Sequence, residues 1–186
     1  MRRSLRERAA YDWIPPATSA ARGALVRAKH PRATLRFDRS VRFGPGFAVW
    51  MPSGRATLEI GPYVHFRRGC VIELEHDAVV RIGAGTVFTY NVLVQATVEV
   101  TIGERCLFAN GASVVDSKHA FRDGDLAKLD YAPVHVGDDV WVASKATVAA
   151  DVGDRAVIGA NSVVTKSIEP FTVAAGAPAR ELERLR

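Results

Sequence analysis

Apolar residues in this chain recur every six positions, and few folds can use that period. Between 136 and 168 the sequence VGDDVWVASKATVAADVGDRAVIGANSVVTKSI places Val136, Val142 and Val148 six apart, then Val152, Ile158 and Val164 six apart after a slip. Four places after these positions stand Val140, Ala146, Val152, Ala156, Ser162 and Ile168, mostly small or β-branched. Gly137, Gly153 and Gly159 each directly follow an apolar position. Six is neither the 3.6-residue period of a helix nor the alternation of a half-buried strand. It is the mark of a parallel β-helix, in which each hexad forms one short flat side and three close a triangular coil of about 18 residues. Each coil buries its apolar residues only against its neighbours, so several are needed.

The pattern is present along most of the chain. It begins weakly at Leu35, Val41 and Phe47, and a turn follows at Pro52-Ser53-Gly54. Ile60, Phe66 and Ile72 make a clear set. Ile82, Phe88, Val94 and Val100 follow, with Thr86, Val92 and Val98 as their partners four along, and then Ile102, Phe108 and Val114, with Cys106 and Ala112. Between Val115 and Val134 the repeat vanishes into a polar stretch marked by Gly124 and Pro133, and it resumes at Val136. A long loop expelled from a compact repeat is usually functional or mobile. The division expected is a basic, partly helical cap at 1–33, a β-helix at 34–168 with an expelled active-site loop at 116–133, and a C-terminal extended segment with a short helix at 169–186. The capping helix is predicted from Thr18 to about His30, after the break at Pro15 and Pro16. ARELERLR is predicted as the C-terminal helix, with Leu182 and Leu185 on one edge. The step from Val148 to Val152 is four residues instead of six, which shortens one corner. The fold class expected is all-β.

Charge is unevenly spread. Residues 1–45 hold eleven Arg and Lys against three acids, while the whole chain carries a formal charge of +5. A solvated cap explains such a segment; contact with a lipid surface or a lipid-linked glycan is a second use of it, and nucleic acid is not expected as a partner. No stretch is apolar enough for a transmembrane helix and the first residues lack the apolar core of a secretory signal, so a cytoplasmic protein is expected. Cys70 and Cys106 form no CxxC pair and each falls at the small position of a hexad, which reads as a reduced core residue.

These residues resemble the hexapeptide-repeat acyltransferases, the family of galactoside, maltose and nodulation-factor O-acetyltransferases. The resemblance runs from about Leu35 to Arg186 and is tightest in VGDDVWVASKATV, VIGANSVVTKSI and VAAGAPAR. It implies a left-handed coil, which periodicity alone does not give. It implies a homotrimer with acetyl-coenzyme A bound between adjacent solenoids, and a sugar or glycan as acceptor. His119, in DSKH at the start of the expelled loop, matches the family's general base. An alcohol attacks a thioester only as its proton is removed, and neutral imidazole suits that task near pH 7. Asp116 is the nearest carboxylate to hold the other ring nitrogen. For the donor, Ser144 and Ala160 match pantetheine positions, and Thr165, Lys166 and Arg180 match positions at the nucleotide end, where cations suit phosphates. Trp141 starts the turn beside that cleft. Asn91 is the candidate acceptor-binding residue. At the family's second arginine this chain has Glu183.

Other readings of the same fold are an N-acyltransferase on an amino sugar and a non-catalytic binding module. A metal-dependent carbonic anhydrase needs three His ligands, two of them close together. Here the next His after His119 is His135, sixteen residues on, so no metal is expected. His65, His76 and His135 are expected at exposed edges of the coils.

Overall fold

In the computed structural model, residues 14–120, 124, 125 and 127–186 are described. They form a triangular prism with three parallel sheets as its faces. Face A is made of Thr34–Phe37, Thr57–Ile60, Val79–Ile82, Glu99–Ile102 and Val134–Val136. Face B runs from Arg42–Phe43 through His65–Phe66, Val87–Phe88, Leu107–Phe108, Trp141–Val142 and Val157–Ile158 to Thr172–Gly176. Face C comprises Ala48–Trp50, Val71–Leu74, Leu93–Ala96, Ser113–Val115, Thr147–Val148 and Val163–Val164. Each hexad apolar residue points inward: Ile60, Phe66, Ile72, Ile82, Phe88, Val94, Ile102, Phe108 and Val114 are all buried, as are Val136, Val142, Val148, Val152, Ile158 and Val164.

The coils are not uniform, and the expected 18-residue spacing gives way to a graded series. Leu35 pairs with Leu58 and Leu58 with Val80, spacings of 23 and 22 residues. Val80 pairs with Val100, 20 residues on, and Ile102 with Val136, 34 on. Val136, Val152 and Ile168 then stack at intervals of 16. Steps from face A to B and from B to C remain hexads throughout, as in Ile82, Phe88 and Val94 or Val136, Val142 and Val148. All the variation therefore falls at the corner between faces C and A, occupied in turn by residues 51–56, 75–78, 97–98, 116–133, 149–151 and 165–167. The core follows this taper. On face B the rings of Phe43, Phe66, Phe88 and Phe108 stack with centroids 5.8, 4.7 and 4.9 Å apart. In the tighter coils beyond them the same column holds Val142, Ile158 and Ala174. Large rings fill wide coils and small side chains fill narrow ones, as close packing requires.

The glycines after the apolar positions sit where coils approach most closely. A Cβ on Gly103 would lie 2.6 Å from the Gly137 carbonyl oxygen, and one on Gly137 would lie 2.7 Å from the Asp154 nitrogen. Both cysteines are free and buried, and burial pushes each thiol up to about 11.

The first coil has no neighbour on its N-terminal side, so alternate residues of its strands present both N–H and C=O groups there that need partners. Helix α1 (Pro16–Lys29) lies across the first end with Ser19, Gly23 and Val26 buried. The Ser19 hydroxyl donates to the Val41 carbonyl (3.0 Å) and accepts from the Phe43 N–H (2.9 Å). Arg22 donates to the Phe43 carbonyl (2.8 Å), Arg42 to those of Ser40 and Val41, and His30 Nε2 to that of Val49 (3.2 Å). Cations in this segment thus satisfy outward-facing carbonyls that would otherwise be orphaned.

The far end departs from expectation. Ala179–Arg184 is a strand, not a helix, and pairs antiparallel with Thr172–Gly176. The last coil of face B presents an open sheet edge, which a strand can pair and a helix cannot. Tertiary pairing overrides the helical propensity of ARELER. The charges of Arg180, Glu181, Glu183 and Arg184 then line the new outer edge, where they discourage further pairing. Residues 1–13 of the predicted basic cap lie outside the described residues.

Candidate functional site

The site residues divide between two edges of the prism. The edge between faces B and C is a column of left-handed corner residues: Gly69, Asn91, Gly111, Lys145 and Asn161, with φ from 55° to 73°. Short polar or flexible residues suit that conformation. Each donates its N–H to the coil below: Asn91 to the Arg68 carbonyl (3.0 Å), Gly111 to Tyr90 (2.9 Å), Lys145 to Asn110 (2.9 Å) and Asn161 to Ser144 (2.9 Å). Ser144 and Ala160 are therefore in adjacent coils of one edge, about 4.8 Å apart along the axis. Asn91 lies two coils before Ser144 on the same line. Asn110 lies between them, its side-chain oxygen accepting from the Thr89 hydroxyl at 2.9 Å. At the top of this edge the Gly176 N–H donates to the buried Ser162 hydroxyl (3.0 Å), and Arg180 is paired opposite Ala175 and is exposed.

Trp141 stands on face B beside this edge, 48% exposed. Its strand neighbours place Leu107 and Val87 before it and Val157 and Val173 after it in one outward column. The face is therefore an apolar stripe with an exposed indole at its centre. His65 continues this column and is only half-exposed, in contrast to the exposed edge position predicted for it. Burial, with Arg42 and Arg67 nearby, holds its pKa below the ordinary imidazole value. His76 and His135 are exposed.

His119 belongs to the other edge, between faces C and A. Here the chain leaves the coil as an antiparallel hairpin, Ser117–His119 against Leu129–Tyr131, with His119 opposite Leu129. Asp116 anchors it. Its carboxylate, 4% exposed, accepts from the N–H groups of Thr97 (2.7 Å), Val98 (2.7 Å) and Glu99 (2.9 Å) in the coil before. The Thr97 hydroxyl donates to that of Ser117 at 2.8 Å. The Asp116 carboxylate thus closes the two-residue corner 97–98 and pins the start of the hairpin. Alternation along the strand sends Ser117 and His119 to one side of the hairpin and Lys118 to the other. His119 is exposed.

Thr165 and Lys166 lie on this second edge too, exposed, in the last short corner. Corners 149–151 and 165–167 are recessed by their short coils, and the hairpin overhangs them. The result is a cavity of about 380 Å³ lined by Asp116, Ser117, Lys118, Asp130, Tyr131 and Asp151 among others. Tyr131, Asp130 and Asp151 had not been singled out from the sequence. The signal for them was the pairing of one overlong corner with the contracted step from Val148 to Val152. Among the described residues no group of three or more His, Cys, Asp or Glu is placed to hold a metal, and no described helix is long and apolar enough to cross a membrane.

Residues 133–166 match the family model described as the hexapeptide repeat of succinyl-transferase. A probable acetyltransferase of Mycobacterium tuberculosis is 29% identical over 175 residues, covering 83% of this chain and 58% of that protein. The galactoside O-acetyltransferase of Escherichia coli is 30% identical over 121 residues, covering 61% of this chain and 58% of that one. The chain thus spans 58% of the length of each of these relatives. A hexapeptide-repeat acetyltransferase from Vibrio cholerae, solved in complex with acetyl-coenzyme A, superposes with a TM-score of 0.63 at 24% identity, covering 90% of this chain and 78% of that one. The chain is a hexapeptide-repeat protein built on the left-handed β-helix of the hexapeptide-repeat acyltransferases, the family it resembles.

Proposed function

We propose that this chain transfers an acetyl group from acetyl-coenzyme A to a hydroxyl of a sugar or glycan, in clefts between the subunits of a homotrimer. The observation that carries the reading is the division of the residues between two edges. Ser144, Ala160 and Arg180 line one edge, and His119 projects from another, across face C. A flat solenoid face buries little of a ligand, whereas ligand sites enclose most of theirs. In a cyclic trimer the hairpin of one subunit meets the donor edge of the next, and three equivalent clefts result.

In this arrangement Ser144 and the backbone at Ala160 hold the pantetheine, with Trp141 beside it. Arg180 from the donor edge, and Thr165 with Lys166 from the corner beneath the hairpin, meet the nucleotide phosphates. Asn91 sits further along the donor edge, where the acceptor enters. His119 takes the acceptor's hydroxyl proton as its oxygen bonds to the thioester carbon. Collapse of the tetrahedral intermediate breaks the carbon–sulfur bond, and the imidazolium returns its proton to the departing thiolate. Asp116 positions the hairpin by fixing its root.

The test mixes two inactive variants, His119→Ala and Ser144→Trp, unfolded and reassembled together. Mixed trimers contain some clefts with both walls intact, so part of the wild-type thiol release from acetyl-coenzyme A should return. Confirmed subunit exchange with no regained activity would place both residues in one subunit's site. Coenzyme A binding without transfer to any sugar or amino sugar would make the chain a binding module.

A further inference from the structure

We infer that the N-terminal end of the solenoid, formed by helix α1 and the first coil, docks on an anionic phospholipid surface. This is independent of the acetyl-transfer reading. Residues 14–45 carry seven Arg and Lys against one acid, Asp38. Among the described residues, most of that charge meets no carboxylate. Arg22 and Arg42 bond to neutral carbonyls, and Arg27 lies over the Phe37 ring at 4.6 Å. Arg36 faces a carboxylate, Glu59, at 2.9 Å. The Asp38 carboxylate is engaged by the Ser40 N–H and hydroxyl. Lys29, Arg32 and Arg39 are exposed around the same end.

The apolar part of the surface is there as well. With Ser19, Gly23 and Val26 buried against the coil, α1 turns Ala17, Ala21, Ala24, Leu25 and Ala28 outward. Leu25 is 55% exposed. The bond from His30 to the Val49 carbonyl brings the helix C-terminus beside Trp50, which is 56% exposed. A helix with an outward apolar face, flanked by cations whose stems can lie along the surface, fits the boundary between headgroups and acyl chains. The charge excludes a second copy of this end as the natural occupant, since a twofold contact would bring like charges together. A polyphosphate chain would satisfy the cations and leave Leu25 and Trp50 in water; a bilayer satisfies both.

The test is flotation of the full chain with phosphatidylcholine vesicles, with and without phosphatidylglycerol, at low and high salt. Binding should require phosphatidylglycerol and weaken with salt. Each cation near such a surface contributes about a fivefold gain in partition, so Lys29→Gln/Arg32→Gln/Arg39→Gln should lower partitioning roughly 100-fold. Leu25→Ser alone, and Leu25→Ser/Trp50→Ser, should lower it by about tenfold or more with unchanged thermal unfolding. No binding, or equal binding to both vesicle types, overturns the inference. So does unchanged binding of both serine variants with displacement by single-stranded oligonucleotide, which would identify a general polyanion surface.

Discussion

Asp116 and His119 are three residues apart and do different work. The Asp116 carboxylate serves three backbone N–H groups at once. Removing it orphans donors that are only partly solvent-accessible, so Asp116→Ala should cost about 2–4 kcal/mol in urea unfolding. Asp116→Asn keeps one acceptor oxygen and should cost less. A stability unchanged by Asp116→Ala would mean that the corner does not depend on the carboxylate. His119 is exposed, and His119→Ala should lower kcat roughly 10²–10⁴-fold with coenzyme A affinity retained. Near-normal turnover would assign the base elsewhere. At the proposed donor site, Lys166→Ala and Arg180→Ala should each raise the KM for acetyl-coenzyme A. The wild type should bind it more weakly as salt rises. Equal KM values for acetyl-coenzyme A and acetyl-pantetheine would remove these two residues from phosphate binding.

The hairpin Ser117–His119 and Leu129–Tyr131 is an excursion from one corner, while the coils on either side pair directly through Val100 with Val134 and Val114 with Val148. The prism therefore does not need it. Replacing residues 118–131 by a short Gly-Ser link, with Asp116 retained, should leave the circular dichroism and unfolding midpoint near those of the wild type and abolish transfer. A chain that fails to fold would make the hairpin part of the core. The C-terminal strand is different, because it covers an open edge that would otherwise pair with other chains.

On the scale of the molecule, the two thiols give the fold a measurable alkaline limit. In the unfolded chain a thiol ionises near 8.5; in the prism Cys70 and Cys106 hold their protons to about 11. Between these values the unfolded state binds fewer protons than the folded state, so stability falls as pH rises. Urea midpoints should be level up to about pH 8 and decline from there towards pH 11. The double substitution Cys70→Ala/Cys106→Ala should remove much of that slope. An equal decline in the double variant would trace it to other groups. Both ends of the stack leave sheet edges with unpaired N–H and C=O groups; helix α1 supplies side-chain partners at the first, and Ala179–Arg184 pairs as a strand at face B of the last.

The hexad period pointed to a solenoid of stacked coils, though not to its hand, because neither the 3.6-residue period of a helix nor plain alternation in a strand singles out every sixth residue over so long a stretch. Positions such as Phe66, Phe88 and Val142 could be assigned inward from spacing alone. The loop at 116–133 could be located because the period stops and restarts there. The motif residues were legible as single positions, but their distribution over two edges was not. That depends on coil length, and the corner between faces C and A varies from two residues to eighteen without disturbing the hexads on either side. The work of Asp116 was decided by a corner 18 residues earlier in the chain, which only the stacked coils bring to it. For the same reason the C-terminal segment became a strand: its local preference is helical, but the edge it meets exists only once the last coil has closed.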